Sequence, residues 1–410
     1  MTDYSPHLSW LDGQRSAMID LVRLWADQNS GSRNLLGLEK MLSLLQAGFA
    51  VLGGAMEIKE LPPETLVTPE GKVHRMPLGK ALRIKKRPDA PAQVFLGIHY
   101  DTVYAADHAF QRCEPPDENV LRGPGVADAK GGLAVMLKAL EALEASPWKE
   151  NLGWEVLLNP DEEIGSPGSA HLLAEAARRN HVGLVFEPAF ADGSLVRARK
   201  GSGNFHVVIR GRAAHAGRDP QSGRNAINAL AQFIVELNAL FAGEKGIIVN
   251  VANVKGGGPA NMVPDLALCT FNVRVETAED QRKVRAGVAA LTAKIDALDG
   301  IFMETYGGFG RPPKLFDDRT SALYGQVAQC AHELGIPIKW VDSGGASDGN
   351  ILSAAGLPTI DSLGVRGAHL HSPEEYLALD SLTERARLTA LLLMKLASGE
   401  IRPADIAGRV

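Results

Sequence analysis

The stretch "QVFLGIHYD" (93–101) decides the fold: an apolar run with no polar alternation that ends in histidine and aspartate. An apolar run without alternation predicts a strand covered on both faces, as strands of parallel sheets are. Moving outward, "KGGLAVMLKALEAL" (130–143) predicts a helix, with Leu133, Met136, Leu137 and Leu140 at helical spacing. "WEVLLN" (154–159) predicts a second strand, "SAHLLAEAARRN" (169–180) a second helix and "VGLVFEP" (182–188) a third strand. This rhythm of strand and helix predicts an α/β sheet with helices on both faces.

The texture changes near residue 200. "GNFHVVIRGRA" (203–213) alternates like a half-exposed strand, and "NAINALAQFIVELNAL" (225–240) predicts an amphipathic helix. "IIVNVANVKGG" (247–257) and "DLALCTFNVRVE" (265–276) predict two more strands, and "EDQRKVRAGVAALTAKIDAL" (279–298) another helix. The Gly- and Pro-rich "YGGFGRPPKLFD" (306–317) reads as a linker back to α/β texture, which runs through "GLPTIDSLG" (356–364) to a last helix, "SLTERARLTALLLMKLASG" (381–399). The expected organisation is a discontinuous core domain, residues 1–199 and 312–410, interrupted by an α+β insert over 200–311. No repeat or low-complexity tract is visible.

At 410 residues the chain is long for one core, in keeping with two domains. A net charge of −5 argues against nucleic acid as a partner, since such binders carry a basic face. No run reaches the ~18 apolar residues of a membrane span, so no membrane partner is expected. The first residues, "MTDYSPHLSWLDGQRSAM", lack a basic stretch followed by an apolar one. Cys113, Cys269 and Cys330 are odd in number and widely spaced, as reduced thiols of a cytoplasmic protein would be, and no CxxC pair offers a cysteine zinc site.

Three predicted strands end in groups able to hold a metal. The first ends in His99 and Asp101, the second in Asp161, Glu162 and Glu163, and the third in Glu187. Open parallel sheets bind ligands outside the carboxyl ends of their strands. Asp128, in "GPGVADAKGG", precedes a helix, and His371 lies in the late loop "GAHLHSPEEY". Each has an ordinary use alone: Asp128 as a helix N-cap, His99 as a satisfied buried histidine, Glu187 and His371 as loop residues. Three adjacent carboxylates at a sheet edge repel one another, however, and a divalent cation removes that repulsion.

At this point the chain resembles the M20 family of metal-dependent amidohydrolases and exopeptidases, which includes glutamate carboxypeptidase, acetylornithine deacetylase and succinyl-diaminopimelate desuccinylase. The resemblance rests on "HYDTV" (99–103), "GPGVADAKGG" (123–132), "DEEIGS" (161–166), "FEPA" (186–189), "GRAAHAG" (211–217), "NMVPDLALCTFNVR" (261–274), "GGASDGN" (344–350) and "HSPEEY" (371–376). These fall in family order across nearly the whole chain. The resemblance implies a zinc-peptidase-like α/β core, with a mixed central sheet flanked by helices, and an inserted α+β lid through which two subunits form a homodimer.

It also implies two zinc ions, with Co²⁺ or Mn²⁺ as substitutes in such nitrogen and oxygen sites. Asp128 would bridge them, His99 and Glu187 would complete one site, and Glu163 and His371 the other; His369 is the competing histidine. Asp101 shares a strand face with His99 and would orient its ring. By the same resemblance Glu162 is the general base, taking the proton of the attacking water and returning it to the leaving amine. Asp161 has no role beyond support. His215 would reach across the dimer to the developing oxyanion. Asn261 and Arg274 would hold substrate from the lid, Arg274 through a planar fork suited to a carboxylate. Ser347 and Asp348 match a core loop that faces substrate.

The implied activity is hydrolysis of a small amide or short peptide next to a free carboxylate, releasing an amino acid. "FEPA", "ARKGSG" (198–203) and "HSPEEY" lean toward the glutamate carboxypeptidase side. An N-acyl-amino-acid deacylase is the alternative within the enzyme class. An inactive zinc-binding dimeric scaffold is a third reading, opposed by the presence of Glu162 with all five ligands.

Overall fold

In the computed structural model, which describes residues 2–406, a six-stranded mixed sheet forms the larger layer. Its order is Ala55–Lys59, Ala81–Lys86, Leu152–Asn159, Ala92–His99, Val182–Val185 and Thr359–Ile360. Ala92–His99 runs parallel to both neighbours, Leu152–Asn159 on one side and Val182–Val185 on the other. The chain therefore leaves the middle strand to one side and returns on the other. That reversal opens a crevice at the carboxyl ends of the three strands. All eight residues of Leu152–Asn159 are buried, which accounts for its lack of alternation.

Helix Gly131–Glu144 buries twelve of its fourteen residues, because helices Arg15–Ala26 and Asp380–Ser398 cover the side away from the sheet. Its start is pressed against the sheet. A Cβ on Gly132 would lie 2.2 Å from the Phe186 carbonyl oxygen. Only a glycine lets the segment after Asp128 approach the segment that carries Glu187 so closely.

A second, antiparallel sheet has the order Ile247–Gly256, Leu266–Val275, Gly201–Arg210 and Phe302–Arg311. Helices Ala226–Leu240 and Ala278–Asp296 pack on one face around a separate core of Phe205, Phe233, Phe271, Val284 and neighbours. The fourth strand differs from the sequence expectation, which made 306–317 a linker. Residues 302–311 instead pair with residues 202–210, with one bulge that passes over Gly310. Gly307 explains both the fit and the misreading: its φ is +84°, and a Cβ there would meet the Asn204 carbonyl oxygen at 2.3 Å. A composition that resembles a loop is what this close-packed edge strand requires.

The N-terminal helices Ser5–Asp12, Arg15–Ala26 and Leu35–Phe49 complete the core layer. Residues 35–52 are apolar enough, by length and composition, to match a membrane span, although Glu39 and Lys40 interrupt the run. Leu38, Met41, Leu42, Leu45 and Phe49 of that helix are buried in the main core. A hairpin, Glu64–Val67 with Val73–Met76, reaches over to the second sheet, where Arg210 Nη2 donates to the Gly71 carbonyl at 2.7 Å.

Candidate metal centre

The crevice gathers His99, Asp128, Glu163, Glu187 and His371. His99 Nε2 lies 3.0 Å from Asp128 Oδ1 and 3.8 Å from Glu187 Oε2. His371 Nε2 lies 3.3 Å from Asp128 Oδ2 and 3.2 Å from Glu163 Oε2. The two oxygens of Asp128 thus face different histidines, each accompanied by its own glutamate. Of the two late histidines, His371 reaches the acids, while His369 packs its ring 5.9 Å from that of Tyr376.

Several residues hold this cluster in place. Asp101 is fully buried and accepts from the Glu162 and Glu163 amides at 3.1 and 3.2 Å and from Ser32 Oγ at 2.7 Å. Its Oδ1 also lies 3.3 Å from His99 Nδ1, which is 3.0 Å from the Asp101 carbonyl oxygen. One side chain thereby ties the His99 strand to the turn that carries both glutamates. Asp161 points away from the crevice and accepts from the Gly168 and Ser169 amides and from Ser169 Oγ.

Glu375 was not singled out in the sequence. It is buried and accepts from the Gly125, Ala127 and Asp128 amides at 3.0 Å each, and from Tyr104 Oη at 2.7 Å. It is the clamp on the loop that delivers Asp128. Lys130, also unforeseen, buries its ammonium against Ser30 Oγ at 2.6 Å and the Tyr100 carbonyl.

The electrostatics call for positive charge among the acids. Burial pushes Glu163 up to about 7, with the Asp128 charge adding to the effect. Hydrogen bonds to Asp128 and Glu163 lift His371 to about 10. Burial works to raise Asp128, but hydrogen bonds from His371 and His99 hold it below the usual carboxylate range. Either protons on the histidines or a divalent cation ligated by neutral imidazole meets that demand. The donor set suits a metal. His99, Asp128 and Glu163 offer ligand atoms all within 4.8 Å of one another, and so do His99, Glu162 and Glu187. Glu187 Oε1 is buried without a hydrogen-bond partner. Imidazole nitrogen and carboxylate oxygen are ligands that zinc accepts.

A cavity of about 1400 Å³ opens over the cluster. Glu162, Glu163, Glu187 and His371 line it from the core sheet, and Asn204, His206, Arg274 and Tyr306 from the second sheet. Arg274 accordingly faces the cluster, with Nε donating to Asn272 Oδ1 at 3.0 Å and no carboxylate partner among the described residues. Ser347 does not line the cavity, whose wall there is Gly345 and Ala346. It is buried, caps helix Asp348–Ala354 and donates to Asp361 at 2.8 Å. His215 and Asn261 also lie outside the cavity wall. Both are exposed at one corner of the insert, beside a short separate pairing of Ala214–His215 with Met262–Val263, where the Ala216 amide donates to the Asn261 carbonyl at 2.9 Å.

Carboxylates and imidazoles gathered at the strand ends of an α/β sheet, facing an open cavity, are the equipment of a metal-dependent hydrolase. The chain belongs to peptidase family M20/M25/M40, whose sequence model matches residues 95–395. It is 30% identical to carboxypeptidase G2 of Pseudomonas sp. (strain RS-16) over 315 residues, 75% of this chain and 74% of that protein. It is 26% identical to succinyl-diaminopimelate desuccinylase of Nitrosospira multiformis, over 76% of this chain and 85% of that one. In fold it matches an M20 family metallo-carboxypeptidase from Sulfolobus solfataricus with a TM-score of 0.70, at 16% identity, over 92% of this chain and 98% of that chain. The protein is therefore a hydrolytic enzyme with a zinc-peptidase-like α/β fold, and it carries a candidate metal cluster.

Proposed function

We propose that the protein hydrolyses an amide or peptide bond next to a free carboxylate and releases an amino acid, as a carboxypeptidase-type enzyme with two zinc ions per chain. The carrying observation is Asp128, whose two oxygens face two separate histidine–glutamate pairs. A carboxylate so placed would be shared by two ions, with His99 and Glu187 holding one and Glu163 and His371 the other. Two divalent cations held there supply polarisation of the scissile carbonyl and acidification of the attacking water.

The chain's own residues do the rest. Asp101 orients the His99 ring. Glu162 takes the proton of the attacking water and later delivers it to the leaving amine. Arg274, without a carboxylate partner among the described residues, grips the free carboxylate of the substrate through its fork. His215 and Asn261 serve the cavity of a second copy, His215 as a donor to the developing oxyanion. A homodimer through the insert over 200–311 is supported by its exposed apolar surface. Ile227, Val235 and Leu240 on one helix, and Ile248 and Val254 on the outer strand, are all exposed. The likeness to the desuccinylase favours a second reading, in which the same machinery removes the acyl group of an N-acyl amino acid. Three free cysteines, two of them buried, support a cytoplasmic location.

A hydrolysis screen of C-terminal-glutamate peptides, dipeptides and N-acyl amino acids, run beside metal analysis, tests the proposal. Turnover with about two metal ions per chain is expected. Full turnover in metal-free protein would sink it.

A further inference from the structure

The fourth strand of the second sheet ends on Arg311, which is 4% exposed and sits between two acids of the core layer. Its Nη2 donates to Glu162 Oε1 at 2.7 Å and to the Glu162 carbonyl oxygen at 3.2 Å. Its Nη1 donates to Asp348 Oδ1 at 2.8 Å. Asp348 is held in turn by Ser166 Oγ at 2.6 Å and by Asn159 Nδ2 at 2.7 Å. Asn159 ends a core strand, and Asp348 opens a helix. The guanidinium is therefore fixed from behind by the core and presents its other edge to Glu162.

We propose that Arg311 is the positioning residue of Glu162, holding Oε1 and the backbone of that glutamate so that Oε2 is left to carry the proton. The inference rests on Glu162 being the base. A glutamate side chain is long and loses much rotamer freedom when ordered. With one arm of the planar fork, Nη1, anchored on Asp348, the other, Nη2, engages both the carboxylate and the carbonyl of Glu162 and so sets its side-chain torsions and the turn Glu162–Ile164. A lysine ammonium, a single point of charge, does not span these acceptors in one plane.

The competing role for Arg311, gripping the substrate carboxylate, is disfavoured by its commitments. Both Nη atoms already face carboxylates, whereas Arg274 in the same cavity faces none among the described residues. Arg311 also comes from the second sheet, while Glu162 and Asp348 belong to the core layer. The neighbouring Gly310 touches the turn that carries Glu162, a Cβ there lying at ordinary contact distance, 3.4 Å, from the Gly165 carbonyl oxygen. The seating of the second sheet on the core and the orientation of the base are thus one geometric fact.

The test is steady-state kinetics and metal content of Arg311→Ala and Arg311→Lys, beside Glu162→Gln and the double variant Glu162→Gln/Arg311→Ala. Loss of alignment predicts a kcat about 10²-fold lower in both single Arg311 variants, with KM and metal content little changed. Added guanidinium ion restores part of the turnover of Arg311→Ala. The double variant is no slower than Glu162→Gln, because the two residues act as one unit. A raised KM at unchanged kcat, or losses that multiply in the double variant, overturns the proposal. If Arg311→Ala does not fold, Asp348→Asn serves instead. It keeps Arg311 but loosens its anchor, and an unchanged kcat overturns the proposal. Full turnover in Glu162→Gln would remove the base assignment, and the role of Arg311 with it. An inactive Glu162→Gln beside a fully active Arg311→Ala would remove only the latter.

Discussion

The crevice of the core sheet and the His215–Asn261 corner of the insert are built in opposite ways. In the crevice, His99, Asp128 and Glu187 are nearly inaccessible, and Asp101 and Glu375 clamp the backbone around them. At the corner, His215 and Asn261 are exposed. The His215 Nδ1 merely accepts from the Gly217 and Arg218 amides, which leaves Nε2 free as a donor. The first arrangement spends many buried contacts on a few tenths of an ångström. The second holds one polar group ready on a surface that its own cavity does not reach. The candidate metal cluster is gathered within one chain, whereas His215 lies outside that chain's cavity wall, as the proposed role across a dimer requires.

Chelation should have the largest effect and touch only the crevice. Stripping metal is expected to abolish turnover and to make the melting temperature depend on pH. In the metal-free protein burial raises Glu163 and Glu375 to about 7, from an ordinary 4.5. Between those values the folded chain binds more protons than the unfolded chain. Their contribution is therefore fully present below about pH 4.5 and lost as pH rises through about 7. His371, raised to about 10, adds stability that is fully present below its ordinary 6.5 and lost as pH rises through about 10. Asp128 shifts the other way, but its window lies below its ordinary 3.8. The metal-free protein should thus melt at a higher temperature at pH 5.5 than at pH 8, with the gap narrowing as Zn²⁺ is restored. A melting temperature independent of both pH and Zn²⁺ would show that these groups are not the metal site.

Next in size, Glu162→Gln should lower kcat by about 10²–10⁴-fold, the usual worth of general acid–base catalysis. Both metals should remain bound. Loss of metal together with activity would move Glu162 among the ligands, a position its proximity to His99 and Glu187 makes a fair challenge.

What could be read from the sequence follows the same division. His99, Glu163 and Glu187 were legible because local pattern places them: His99 closes a strand whose apolar run is visible, Glu163 and Glu187 follow within a few residues of two more, and strand ends share one edge of the sheet. The clamps were not legible. Glu375 and Asp128 are 247 residues apart, and Arg311 and Glu162 are 149 apart. No periodicity links such pairs; only the closed fold does. Arg311 was further obscured by "YGGFGRPP", whose glycines read as a linker although close packing against Asn204 is what demands Gly307. Ser347 shows the converse. A motif match set it facing substrate, but its hydroxyl is taken up in capping a helix and binding Asp361.

His215→Ala bears on the other half of the comparison. Losing an oxyanion donor should cost about 10²–10³-fold in kcat. Mixing His215→Ala chains with Glu162→Gln chains should recover activity. In a hybrid dimer the first chain supplies an intact Glu162 and the second an intact His215, so one site of the two is whole. Random exchange makes half of the dimers hybrid, so recovery should approach about a quarter of the parent activity. No recovery, with exchange demonstrated, would return His215 to its own subunit and erase the division of labour.

The smallest expected effect belongs to Arg274, which lies between the two regions: it is carried by the second sheet yet faces the crevice of its own chain. Its Nε donates to Asn272 Oδ1 and its Nη1 reaches the Gly344 carbonyl at 3.5 Å, and no carboxylate among the described residues neutralises it. A charge-assisted hydrogen bond contributes about 1.5–3 kcal/mol, so Arg274→Ala should lower kcat/KM by about 10- to 100-fold. The loss should fall on KM, because the carboxylate it grips carries the same charge in ground and transition states. Arg274→Lys should recover little, since an ammonium keeps the charge but loses the paired geometry. Substrates whose free carboxylate is amidated give the deciding control. They should already be poor for the parent enzyme and no poorer for Arg274→Ala. If Arg274→Ala weakens both substrates alike, the arginine shapes the cavity without reading the carboxylate.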